Sequence, residues 1–152
     1  RTSPGFLFAT LLWHEALAAW EARKQNSEPP IPALHAAMDE VLDIQGGKLA
    51  ITRRIAADIK DIWILQPRLE NRAGRRPLRL VEQPRFKAGY DFLLLRAESG
   101  EVAQELADWW RAFLDADTEA RLAMLTPEKK PARRKRRRRK GGGDSADSEG
   151  GG

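Results

Sequence analysis

Cysteine is absent from the 152 residues, which excludes disulfides and thiolate chemistry and argues against a zinc site. Histidine is nearly absent too. His14 and His35 are the only two, and neither stands one helical turn from a second ligand type; His14-Glu15 lacks the second histidine of a metalloprotease helix. No apolar run approaches the ~20 residues of a membrane-spanning helix. The greasiest stretch, residues 5–13, is too short and lacks the flanks of a signal peptide. With 41% hydrophobic residues and a mean hydropathy of −0.57, the composition is that of a soluble protein. No Gly-x-Ser-x-Gly elbow and no glycine-rich phosphate loop occurs, so serine nucleophiles and phosphate-loop chemistry have no motif to stand on. Arg1 stands where an initiator Met would, which predicts a piece of a longer chain.

Charge is present in abundance but unevenly placed. The net charge is +5. Residues 1–126 carry 17 basic and 18 acidic side chains, whereas 127–152 carry 10 and 4, so the excess positive charge belongs to the tail. The body is itself polarised: residues 1–47 sum to −3, residues 48–87 to +7 and residues 88–126 to −5.

Residues 1–126 read as helical throughout, with none of the period-two alternation of a β-hairpin. Ser3-Pro4 fits an N-cap followed by proline at the first helical position, opening a helix over about 4–25. That helix is apolar on nearly every face through Trp13, a pattern that predicts burial against several neighbours. Glu28-Pro29-Pro30 breaks it, and a second helix starts near Pro32 and is interrupted at Gly46-Gly47. Thr52 caps a third, with Ile51 packing back as a staple, and Pro67 limits or kinks it. Pro77 opens a short element that stops at Pro84; a helix from Phe86 ends by Gly100; another carries Val102 to Phe113; Asp117-Thr118 caps a last turn reaching Leu125. The fold class expected is all-α, an irregular bundle of six or seven helices over 1–126. Residues 127–152 hold no apolar side chains able to offset the cost of ordering, and are expected to be disordered.

Asp115-Ala116-Asp117 spells a paired carboxylate of the kind that holds two Mg²⁺ ions in nucleotidyl transfer. It comes after an aromatic helical stretch rather than a strand, so helix-end solvation and capping is the better reading, and no catalytic residue and no metal site is assigned. The basic residues carry more. Lys129 to Lys140 holds ten cations in twelve positions, with Arg133, Arg134, Lys135, Arg136, Arg137, Arg138, Arg139 and Lys140 consecutive. Such a polycation binds a polyanion by counterion release, with a log–log salt slope of about −0.7 per neutralised phosphate on single strands. With about eight charges engaged, raising salt from about 50 to 200 mM costs about three decades of affinity. A nuclear-localisation run, an anionic-membrane tether or a solubilising tail are the bland alternatives.

A second basic group is more discriminating. Arg68, Arg72, Arg75, Arg76, Arg79, Arg85 and Lys87 crowd a proline-broken region, preceded by Arg53, Arg54 and Lys60. Arginine suits bidentate phosphate contacts and base stacking. A solvated face, with Glu70 and Glu82 pairing locally, is the competing reading. Spacing alone does not put Arg53, Lys60 and Arg68 on one surface. Among the tryptophans, Trp63 and one of Trp109 and Trp110 fall on apolar faces and belong to a core; Trp20 is the best candidate for an exposed ring that stacks on bases.

Several stretches taken together resemble the bacterial poly(A) polymerases. They are residues 4–13, Ala37 to Leu42, Leu49 to Arg54, Asp61-Ile62-Trp63 with Gln66 and Arg68, Pro84 to Ala88, Tyr90-Asp91, Leu93, Leu95 to Glu98 and Trp109-Trp110, in order. The Arg/Lys-rich end is similar as well. Thr52 stands where that family commonly has proline. The resemblance implies the C-terminal, arginine-rich region of a polynucleotide adenylyltransferase, which adds AMP from ATP to RNA 3′ ends. It implies that the Mg²⁺-binding carboxylates and ATP-gripping residues lie in an N-terminal head and neck, whose motifs this sequence does not contain. ATP and Mg²⁺ are thus implied for the parent enzyme and no cofactor for this chain. The tRNA CCA-adding enzymes share the head but lack this C-terminal pattern. The role implied is holding single-stranded RNA 3′ ends, with the catalytic head as partner and a cytoplasmic location without membrane contact. The alternative is a helical protein-interaction module docking on the catalytic domain or on RNA-processing partners, with only the tail binding RNA.

Overall fold

The computed structural model describes residues 3–127. Seven helices run in order: α1 (Pro4–Gln25), α2 (Pro30–Gly46), α3 (Arg53–Glu70), α4 (Arg76–Leu80), α5 (Phe86–Glu98), α6 (Gln104–Asp115) and α7 (Thr118–Met124). The fold is all-α, as the sequence predicts. The disordered tail expected from residue 127 onward lies, apart from Pro127, outside the described residues.

Side-chain caps set three of the helix starts. The Phe6 N–H donates to Ser3 Oγ at 3.2 Å, the Ile55 N–H to Thr52 Oγ1 at 3.2 Å and the Ala120 N–H to Asp117 Oδ1 at 2.8 Å, each satisfying a donor that a helix leaves unpaired in its first turn. Asp117 is therefore a cap, and Asp115 closes α6. α2 ends at Gly46, but the left-handed residue that turns the chain is Ala50 (φ 54), with the Ile51 N–H donating to the Gly46 carbonyl at 3.0 Å. Pro67 does not stop α3, which runs on to Glu70. Packing outweighs the lost N–H there: Leu69 is wholly buried, and the Trp110 indole N–H donates to its carbonyl at 2.8 Å.

Two hydrophobic clusters share α3 and α5. One gathers Ala9, Leu12, Trp13 and Ala16 of α1, Leu34, Met38, Val41 and Leu42 of α2, Ile59, Ile62 and Trp63 of α3, and Phe92 of α5. The other joins Leu65 and Leu69 of α3, Leu80 of α4, Phe86, Tyr90 and Leu93 of α5, and Leu106, Trp110 and Phe113 of α6. Buried indoles find acceptors, the Trp63 N–H donating to the Ala9 carbonyl at 3.1 Å. α3 and α5 meet closely at Gly89, where a Cβ would stand 2.6 Å from Leu65 Cδ1. Burial of α1 is less complete than its all-round apolar sequence predicts, since Leu7 and Leu11, one turn apart, stay exposed.

Between the two clusters lies a buried polar knot. The Arg96 guanidinium donates to Gln66 Oε1 (2.8 Å), Glu70 Oε2 (3.1 Å) and Glu101 Oε2 (3.0 Å), and its carbon lies 5.1 Å from the Trp13 ring centroid. Gln66 in turn donates to the carbonyls of Ile62 and Gly89, and the Trp13 indole N–H donates to Glu101 Oε2 at 2.8 Å. Outside the helices, Ala73 and Thr126 form an isolated parallel bridge, with the Gly74 N–H donating to the Thr126 carbonyl at 2.9 Å.

Candidate nucleic-acid interface

The cations of residues 53–87 do not form one patch. Arg53 and Arg54 open α3 and Arg68 stands near its far end, about 22 Å away at 1.5 Å rise per residue. Four others are engaged within the fold. Lys60 pairs with Asp39 of α2 at 2.6 Å, Arg85 with Asp58, Lys87 with Asp91 at 2.9 Å, and Arg72 with both oxygens of Glu105, at 2.8 and 3.3 Å. Arg72 also lies over the Trp109 ring, at 5.5 Å from its centroid, while Trp109 stacks on Phe113 at 4.9 Å. Its guanidinium holds the Glu105 carboxyl below the usual carboxylate range through that hydrogen bond. Arg72 thus latches the loop after α3 to α6.

Arg68, Arg76 and Arg79 come together, because the end of α3 and the short α4 form two walls of one groove. Its volume is about 440 Å³, and Ile31, Pro67, Asn71, Leu80 and Gln83 complete the lining. Among the described residues, no carboxylate lines it. Arg68 and Arg79 are exposed and make no ion pair among the described residues. The groove continues into two further hollows. Arg68 and Gln83 border a second, of about 240 Å³, which also receives Asp61, Pro84 and Arg85. Pro84 and Arg85 border a third, of about 300 Å³, reaching Lys87, Phe6 and Asp91. Five of the ten basic residues singled out in the sequence thus line one furrow: Arg76, Arg79, Arg68, Arg85 and Lys87. Arg75 is exposed in the loop leading to α4. Arg133 to Lys140 lie outside the described residues.

The aromatic rings sit apart from this furrow, except Phe6. Trp63 and Trp110 are core residues. Trp20, expected to be exposed, is half-buried: its indole N–H donates to the Pro30 carbonyl at 2.8 Å and Lys24 Nζ lies 4.2 Å from its ring. His14 and His35 are both exposed. Nothing in the sequence marks Asn71 or Gln83; only the fold brings them beside the arginines.

Residues 26–141 match the family described as Polymerase A arginine-rich C-terminus. Relatives include Poly(A) polymerase I of Escherichia coli O157:H7, 40% identical over 139 residues, covering 88% of this chain and 30% of the relative. Poly(A) polymerase I of Haemophilus influenzae is 37% identical over 132 residues, with 86% and 29% covered. That of Salmonella typhi is 37% identical over 150 residues, with 88% and 32% covered. The chain therefore spans about three-tenths of the length of these relatives. A family match over residues 26–141, an all-α fold and ordered identity across most of the chain agree, and the chain belongs to the arginine-rich C-terminal family of poly(A) polymerases.

Proposed function

We propose that this region holds single-stranded RNA 3′ ends for ATP-dependent polyadenylation carried out by a catalytic head outside this chain, in the cytoplasm. ATP and Mg²⁺ serve that head, and the residues here supply no chemistry. The observation that carries the reading is the groove where Arg68, Arg76 and Arg79 converge, with Arg68 and Arg79 exposed and making no ion pair among the described residues. Guanidinium groups bind phosphate oxygens without reading sequence, so a strand so held can slide as it is extended. Lys129 to Lys140 would add a second, sequence-blind hold.

The test compares residues 1–127 with the full chain for single-stranded RNA binding across a salt series. Residues 1–127 retain both hydrophobic clusters. The shorter chain is expected to bind, with a shallower slope than the full chain. Arg68→Gln with Arg79→Gln should lower its slope by about 1.4, at 0.7 per phosphate contact. Silence of residues 1–127 would move RNA holding to the tail. It would favour the docking module, for which Leu7 and Leu11 (59% and 62% exposed, one turn apart) are the supporting observation.

A further inference from the structure

The first helix is apolar around much of its girth, yet the fold covers one side of it. Gly5, Ala9, Leu12, Trp13 and Ala16 are buried where α1 meets α2, α3 and α5. At 3.6 residues per turn the opposite side is a stripe of Pro4, Leu7, Leu11, His14 and Ala18, all exposed and spaced three and four apart in alternation. Leu7 and Leu11 are the two most exposed large hydrophobic side chains among the described residues. Thr10 beside them adds little polarity, because its hydroxyl turns back and donates to the Phe6 carbonyl at 3.0 Å. Glu15, which flanks the stripe, is held by Gln45 of α2, whose amide donates to it at 3.0 Å. A surface helix ordinarily turns charge to water on the side away from the core. This helix presents leucine there.

We infer that the Leu7–Leu11 stripe of α1 seats a helix from the polypeptide that precedes this region in the longer polymerase. The alternating three-and-four spacing is the seam of two helices crossing at about 20°. The occupant follows from length and order. This chain covers 30% of its Escherichia coli O157:H7 relative, and the family match is to a C-terminus. Most of the relative's length therefore comes first, and in such a polypeptide it leads into α1 at the Pro4 end of the stripe. Consecutive elements usually lie side by side. A separate molecule fits less well: a stable interface between two molecules takes about 20 residues a side, and the stripe offers five. A tethered segment needs no such area, because its linkage holds it at about millimolar effective concentration. The inference rests on the proposed head in the same longer polypeptide and makes no use of RNA.

The test exploits the absence of cysteine. Leu11→Cys and, separately, Ala18→Cys each place one thiol in the stripe. Maleimide labelling at that position is followed by peptide mass in the 152-residue chain and in the complete polymerase carrying this region. Both side chains are exposed, so their replacement leaves the core intact, and circular dichroism checks it. Each thiol should react freely in the 152-residue chain and at least about tenfold more slowly in the complete polymerase, where a packed interface opens only transiently. As a second measurement, Leu7→Gln with Leu11→Gln should scarcely move the melting temperature of the 152-residue chain and should lower that of the complete polymerase. Equal labelling rates in the two proteins overturn the inference. Protection of the 152-residue chain that grows with its concentration gives the stripe to a second copy and overturns it as well. Neither readout involves RNA, so failure of the arginine groove shows separately, in the salt series.

Discussion

Arg96 Nη1 donates to Gln66 Oε1 at 2.8 Å, and both side chains are buried, 7% and 1% exposed. Thirty positions apart in the chain, they tie α5 to α3 between the two hydrophobic clusters. A buried guanidinium is tolerated only when its donors are matched, and here Gln66, Glu70 and Glu101 match them.

Arg96→Met should therefore lower stability by about 3 kcal/mol, because the buried Gln66 Oε1 loses its donor and Glu101 is left with only the Trp13 indole N–H and solvent. Arg96→Lys should recover little of it, since a single ammonium cannot reach three partners in the fork geometry. Urea unfolding of the full chain checks both.

Gly89→Ala should destabilise by about 1–2 kcal/mol, even though alanine is the better helix former. The new Cβ would meet Leu65 Cδ1 at 2.6 Å and Leu65 Cβ at 3.1 Å, and the second atom cannot rotate away. In a double-mutant cycle with Leu65→Ala, the two costs should sum to more than the measured total.

Lowering pH should open the Arg72–Glu105 latch. Glu105 is held below its ordinary pKa, so the unfolded chain takes up this proton more readily than the folded one. The latch's contribution is whole above the usual carboxylate range and is lost as pH falls through the lowered value. An NMR titration of Glu105 should show the depressed midpoint, and Arg72→Gln should return it to the ordinary one.

A chain begun at Asn26, where the family match begins, should lose cooperative thermal unfolding. It would lack Ala9, Leu12, Trp13 and Ala16, which one of the two clusters is built on, and the acceptor for the Trp63 indole. A sharp melt for that fragment would show that α1 is an accessory rather than part of the core.

The helices were largely legible because their signals are local: Ser3, Thr52 and Asp117 each cap the next turn, and Gly100 with φ 86 ends the chain's run beyond α5. Pro67 misled for the opposite reason, since a contact from Trp110, far along the chain, holds the turn that proline weakens. Nothing in an alanine announces the left-handed backbone of Ala50, whereas the nearby Gly46-Gly47 draws the break to itself. Of the candidate site, the residue types were readable but their grouping was not. Arg68 and Arg79 look no different in sequence from Arg72 and Arg85; tertiary placement gives the latter two carboxylate partners, Glu105 and Asp58.

The bridge between Ala73 and Thr126 has a mechanical meaning for the cationic run beyond it. It anchors the chain beside Asn71 and Arg76, two walls of the groove, only three residues before Lys129. Twelve residues reach at most about 40 Å when fully extended. Chain connectivity alone therefore tethers the run to this end of the fold, and under the proposed RNA-holding role one strand could engage both. In that proposed role, two modest grips joined by so short a leash would act as a bivalent clasp, whose strength grows as their product rather than their sum.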